Sequence, residues 1–205
     1  AEEIEASNYW NLSLFAIEDN ANANDDERIG SEIVIGIHED ANKAIVDGED
    51  QKAFPFSGMN LFDYYSDLSI NNDGQTSLYK DIRSFHETSI TWNLEVETAQ
   101  INSDEGTQFT WKFSENIDPY DYSLDIGEDI TINMKDNLSY LLSHNDFLLY
   151  GADMSITAKL KEEYIGCTDP LATNYNMLAN GTGEYCTHGT CLGGNRDEFC
   201  ANVSL

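Results

Sequence analysis

The segment Ser89–Thr98 constrains the fold more tightly than any other part of the chain. It alternates with period two, so Ile90, Trp92, Leu94 and Val96 fall on one face and Asn93, Glu95 and Glu97 on the other. A helix would scatter those apolar side chains around its axis, whereas an extended strand stacks them on one side. A dry face backed by a wet one is the pattern of an antiparallel sheet packed on one side. Thr107–Phe113 repeats the pattern and places Trp111 on its apolar face. The turn-rich residues 102–106 between the two predict a hairpin.

The same reading marks residues 11–17, 32–38, 129–134 and 154–160 as strands, with 122–126 as a further candidate. Clustered leucines in 137–149, interrupted by Ser, His and Asn, suit a strand pair or a short turn. Helical signals are weak. Short strands with turn signals every ten or so residues predict an all-β fold, an antiparallel β-sandwich over residues 1–163. Arg83 lies two residues after Asp81 in a predicted strand, on the same side, and is expected to pair with it structurally.

The character of the chain changes near Glu162-Glu163-Tyr164, and residues 164–205 form the second expected unit. All four cysteines lie there: Cys167, Cys186, Cys191 and Cys200. An even number in a short segment rich in Gly, Asn and Thr reads as two disulfides stapling a piece too small for its own core. Of three pairings, sequential order favours Cys167–Cys186 and Cys191–Cys200, closing loops of about 20 and 10 residues worth about 2–3 kcal/mol each. The rival is zinc, with His188 among the cysteines. The intervening lengths of 18, 4 and 8 residues lack the paired knuckles of zinc modules. The chain starts at Ala1 rather than Met, as after removal of a leader. Disulfides and this start together predict a secreted, extracellular or cell-surface protein.

Charge then excludes classes of partner. With 38 Asp plus Glu against 10 Lys plus Arg, the formal charge is −28. Such a chain is repelled by phosphate backbones and anionic lipid, which excludes nucleic acid as a partner. No apolar run reaches the roughly 18 residues of a membrane span, so no transmembrane segment is expected. Salt screens the self-repulsion, and divalent cations gathered by carboxylates would relieve it locally. Two acidic turns offer hard oxygen ligands to calcium: Asp47, Glu49 and Asp50 in one, Asn71 and Asp73 in the other. Neither has EF-hand spacing, and Asn-Asp-Gly is also ordinary turn chemistry.

Two stretches carry resemblances. Gly166-Cys167-Thr168-Asp169-Pro170-Leu171-Ala172-Thr173-Asn174-Tyr175-Asn176, with Ala179 and Cys186, resembles a cysteine-flanked motif of secreted marine and Bacteroidetes surface proteins. Where that family closes on two carboxylates before the last Cys, this chain has Glu184 alone. The resemblance implies an extracellular compartment rather than an activity. Residues 36–50, Pro55, Tyr64-Tyr65, Asp81-Ile82-Arg83 and Trp92 resemble, more loosely, a β-sandwich module of secreted Bacteroidetes proteins. That resemblance implies a structural module of a larger secreted system.

Catalytic signals are thin. The histidines are His38, His86, His144 and His188, and no nucleophile elbow, zinc-protease motif or phosphate loop is present. No enzyme is expected. The expected function is a non-catalytic subunit of an extracellular assembly such as a filament, sheath or surface layer, self-associating through strands and calcium bridges. Residues 8–17 carry no charge and are β-prone, which makes Tyr9, Trp10, Leu12, Leu14 and Phe15 the candidate assembly residues. The alternative is a carbohydrate-binding module using exposed aromatics.

Overall fold

The computed structural model describes residues 10–18, 30–38, 41, 50–52, 66–72, 76–83, 88–98, 106–114, 117–143, 145–146, 153–167, 170–177 and 179. Its strands are β1 (Trp10–Glu18), β2 (Ser31–Ile37), β3 (Gln51–Lys52), β4 (Ser66–Asn72), β5 (Thr76–Arg83), β6 (Ser89–Thr98), β7 (Thr107–Phe113), β8 (Tyr120–Ile126), β9 (Ile130–Asn133), β10 (Ser139–Leu142) and β11 (Met154–Leu160). A 3-10 turn at Glu162–Tyr164 follows. The all-β class read from the alternation is the class that forms, and β6, β7 and β11 fill the segments it marked. Their inward positions are apolar and buried at Ile90, Trp92, Leu94 and Val96 on β6, Phe109 and Trp111 on β7, and Met154, Ile156, Ala158 and Leu160 on β11, with Thr107 of β7 a buried polar exception in the same phase.

The strands form one curled mixed sheet, a half-barrel, ordered β10-β7-β1-β2-β5-β4-β6-β11-β8-β9 with β3 beside β5. Among the described strands only β2 and β5 run parallel. The ladder is thus continuous where a sandwich would divide it into two sheets.

Strand β5 turns the sheet. Lys80 pairs with Val34 of β2 and with Gln51 of β3, and Leu78 pairs with Ile70 of β4 and with Lys52 of β3. A strand has two edges, so β3 takes one and β2 and β4 follow each other along the other. The first half of β5 therefore belongs to the β4 limb and the second half to the β2 limb. The Ser31 hydroxyl crosses between the limbs, accepting from the Leu68 N–H at 2.5 Å.

The predicted hairpin between β6 and β7 does not form. Strand β6 pairs with β4 and β11, while β7 pairs with β1 and β10, in the opposite limb. Alternation reports which face is buried and says nothing about which strand lies alongside. Turn residues between two strands do not join them when distant strands occupy both edges of each.

Curling brings the limbs face to face around aromatic rings. Trp10 of β1 meets Trp92 of β6 edge-on, with centroids 5.8 Å apart at 77°, and Tyr122 of β8 at 4.9 Å and 85°. Edge-to-face contacts of this kind add about 0.5–1.5 kcal/mol beyond the area they bury. The chain between the two ends of the ladder, β9 and β10, spans the remaining gap. There Met134 N–H donates to the Tyr122 carbonyl at 3.0 Å, Trp111 N–H donates to the Leu138 carbonyl at 3.2 Å, and the Trp111 indole N–H reaches the Met134 carbonyl at 2.8 Å. Phe113 packs on Tyr122 across the same gap, with centroids 4.7 Å apart.

Candidate functional site

The densest polar constellation of the described residues lies where β5 turns the sheet. Asp81 is buried, its side chain 7% exposed, and Arg83 on the same side of the strand grips it. Both Nε and Nη2 of Arg83 reach Asp81 Oδ2, at 2.9 and 2.7 Å, so the structural pair read from the spacing is present. Arg83 Nη1 donates to the Thr91 carbonyl of β6 at 2.9 Å, and the guanidinium lies 5.4 Å from the centre of the Trp92 ring. The last paired residue of β4 on this side of β6 is Asn71, opposite Asn93. Thr91 lies beyond the end of β4, so Arg83 supplies the donor that a longer strand would have supplied.

Asp50, beside β5, accepts from the Ile82 N–H through Oδ1 at 3.0 Å. Burial pushes the Asp81 carboxyl above the usual range; the Arg83 hydrogen bond and charge oppose this, and Asp50 adds to it. Chemically this is a clamp. The guanidinium is spent on one carboxylate, one carbonyl and one ring.

Of the two acidic turns, the described residues Asp50 and Asn71 lie apart. Asp50 stands level with Ile82, while Asn71 pairs with Ser77. Five residues of extended strand separate those levels, about 16 Å. Asn71 donates its amide to Glu95 Oε1 at 2.6 Å, and the Ser77 hydroxyl donates to Glu95 Oε2 at 3.4 Å. Glu95 thus joins this group without having been singled out in the sequence; the outward phase of β6 is the signal that could have found it. Asp47, Glu49 and Asp73 lie outside the described residues, as do His86, His144 and His188. Among the described residues no three His, Cys, Asp or Glu side chains converge as a metal site.

Trp10, Leu12 and Leu14 are buried in the chain's own core. Strand β1 is a central strand, antiparallel to β2 on one edge and to β7 on the other. Its backbone groups, expected to seek a neighbouring subunit, have partners within the chain. Phe15 alone of the four projects outward, 38% exposed, and Tyr9 lies outside the described residues. Two surface groups stand out instead. On the outer face Phe15 and Leu141 point to the same side of the sheet, separated by β7 and one same-side row, and Leu138, just before β10, is exposed as well. After β11, Ile165, Leu171, Tyr175 and Met177 are all exposed.

The segment after β11 has a compact geometry of its own. Cys167 N–H donates to the Asn174 carbonyl at 3.0 Å, and Asn176 N–H returns to the Cys167 carbonyl at 2.7 Å. The Asn176 amide spans the carbonyls of Glu163 and Ile165, at 2.9 Å each. Gly166 has φ +148°, and a Cβ there would run into Asn176. Cys167 and Ala172 are buried, and Cys167 is disulfide-bonded. Cys186, Cys191 and Cys200 lie outside the described residues.

Comparison with protein-family models, curated proteins and solved structures finds no match. Among the described residues no helix is long and apolar enough to cross a membrane.

Proposed function

We propose that the protein is a non-catalytic, secreted structural protein that self-associates into an extracellular assembly. The observation that carries this reading is the pair of exposed apolar groups, Phe15, Leu138 and Leu141 on the body and Ile165, Leu171, Tyr175 and Met177 after β11, on a chain of charge −28. A carboxylate-rich surface keeps copies apart, so apolar side chains left on it at two places suit contact with another molecule. Two unlike patches favour a head-to-tail contact, which propagates into a ring or filament. The ladders of β1 are filled from within, which favours contact through the outer surface over donation of a strand. The two limbs act as the layers of a sandwich-like body, and the disulfide-stapled segment from 164 onward carries the second patch. Calcium held at the acidic turns would reduce repulsion between neighbouring copies.

The test is light scattering and negative-stain electron microscopy of the full chain at near-physiological salt, with calcium and with a chelator. Filaments, rings or lattices that are lost in the Phe15→Ser/Leu141→Ser variant support the reading. Monomers at every concentration, or assembly indifferent to both substitutions, overturn it.

A further inference from the structure

The two ends of the ladder, β9 and β10, differ as edges. Antiparallel strands offer alternate residues to each side, so a single bond fixes which backbone groups face which neighbour. Ser114 N–H donates to the Asn11 carbonyl at 2.8 Å, and Trp111 N–H to the Leu138 carbonyl at 3.2 Å. Strand β7 therefore turns its even-numbered residues to β1 and its odd-numbered residues to β10. Tyr140 and Leu142, opposite Phe109 and Thr107, bond back to β7. Ser139 and Leu141 point their N–H and C=O groups the other way. Among the described residues no strand lies on that side of β10, and both residues are exposed.

The same alternation leaves Thr131 and Asn133 on the free edge of β9, since Met134 N–H donates to the Tyr122 carbonyl. That edge is guarded. The Asn133 carbonyl accepts from the Asn137 amide at 2.8 Å, and the Asn133 side-chain oxygen accepts from Lys135 N–H at 2.9 Å. Glu128, Asp129 and Asp136 flank the strand with charge. Natural sheets blunt their edges with charge, proline or a bulge. Strand β10 has none of these. Residues 137–143 read Asn-Leu-Ser-Tyr-Leu-Leu-Ser, without a charge or a proline, and the register of β10 on β7 runs without a break.

In a chain of charge −28 an unguarded edge selects its partner. Copies that approach through carboxylate-rich surfaces repel, whereas at β10 uncharged backbone can meet uncharged backbone. The strand is also complementary to itself. With two copies antiparallel about an axis at Tyr140, Ser139 of one stands opposite Leu141 of the other, and each outward N–H finds an outward C=O. Pairing β10 with the β9 edge of another copy would instead meet the Asn133 carbonyl that Asn137 already occupies.

We propose that β10 is a self-association edge, pairing antiparallel with β10 of a second copy and running the two sheets into one. The inference rests on the self-association reading and adds a two-fold contact to it. Edge and outer face are different surfaces of one strand, so this pairing leaves the outer face free for the head-to-tail contact.

The test is residue-resolved amide hydrogen exchange of the full chain, dilute and at concentrations where it associates. The expected pattern alternates. Tyr140 and Leu142 amides are slow in both states, while Ser139 and Leu141 amides are fast when dilute and roughly tenfold or more slower on association. Ser139 and Leu141 amides that stay fast in the associated protein overturn the inference and leave self-association standing; a chain that stays monomeric at every concentration overturns both. Amides already slow at dilution show an edge covered from within the chain, which overturns the inference as well. Two variants give a second readout. Leu141→Pro removes an outward N–H without taking a bond from β7, whereas Leu141→Ala trims the side chain and keeps the N–H. Across a two-fold contact the proline removes a hydrogen bond from each side, weakening association about thirtyfold relative to Leu141→Ala. Equal association of the two variants overturns the edge contact.

Discussion

Replacing Arg83 by Met keeps most of the aliphatic stem and removes the guanidinium that holds the turn of the sheet together. Three interactions go at once: the two-point contact on Asp81 Oδ2, the bond to the Thr91 carbonyl and the stacking over Trp92. What remains is a carboxylate 7% exposed with no countercharge. Breaking a buried pair in this way costs about 3–5 kcal/mol, and the 30% exposure of Arg83 places this case at the low end, about 3 kcal/mol. For a chain of this length that lowers Tm by roughly 6–12 °C.

The pH dependence gives the reasoning its sharpest test. In the folded protein the Asp81 carboxyl lies above its ordinary value, chiefly through burial, with Arg83 pulling it back. Without Arg83 it rises further. A folded-state value above the unfolded one means that the folded state binds the extra proton. Asp81 therefore subtracts stability at neutral pH, and that loss is recovered as pH falls through the folded value towards the unfolded one. The penalty of Arg83→Met should be full at pH 7 and shrink on acidification towards pH 4. In an Asp81→Asn background the same substitution should cost only about 1 kcal/mol, a single hydrogen bond's worth. Urea unfolding of the wild type, both single variants and the double variant across that range measures all of this. A cost below 1 kcal/mol at pH 7, a cost independent of pH, or an undiminished cost in the Asp81→Asn background would refute the clamp.

Two further outcomes follow from backbone geometry and covalent structure. Gly106 has φ +111°, and a Cβ there would meet the Leu142 carbonyl of β10, so Gly106→Ala should cost about 2 kcal/mol or more in chemical denaturation while the exposed control Ser139→Ala stays near neutral. Peptide mapping without reduction should recover Cys167 joined to Cys186 and Cys191 to Cys200, and reduction should leave the β-body's far-ultraviolet circular dichroism in place, since its described core draws on residues 10–160; Cys167 found with another partner would refute the sequential pairing.

What the sequence disclosed was the inside and outside of each strand. The period-two faces of β6, β7, β8 and β11 are buried on the side the alternation assigns, because burial acts on each side chain where it stands. Asp81 and Arg83 were legible for the same reason: positions two apart on a strand share a side. The neighbours of each strand were not legible. Strand β4 carries only Leu68 and Ile70 as buried apolar residues among its described side chains, too few to announce a strand, and it owes its place to β6 on one side and β5 on the other. The double role of β5 is a property of where two limbs meet and has no local signature. The Thr91 carbonyl that Arg83 satisfies is backbone, and residue identity does not mark it.

Strand β1 shows how a true sequence signal can be attached to the wrong partner. A charge-free, β-prone segment near a chain's start reads as a connector because nothing nearby can pair both of its edges. In the fold, β2 takes one edge and β7, about a hundred residues onward, takes the other; Asn11 N–H donates to the Ser114 hydroxyl across a separation of 103 positions. A central strand must place its inward side chains in the core and keep charge off its ladder, so Trp10, Leu12, Leu14 and Ala16 are as required for an internal role as for an external one. The long separation also gives the net charge a role in folding. Until β7 is available, one edge of β1 presents unpaired backbone and a row of apolar side chains, the combination that pairs edge to edge with other copies. A charge of −28 opposes that encounter between incomplete chains. Once β7 is in place the edge is closed. The apolar side chains left exposed are then those of the finished surface, Phe15 and Leu141 among them.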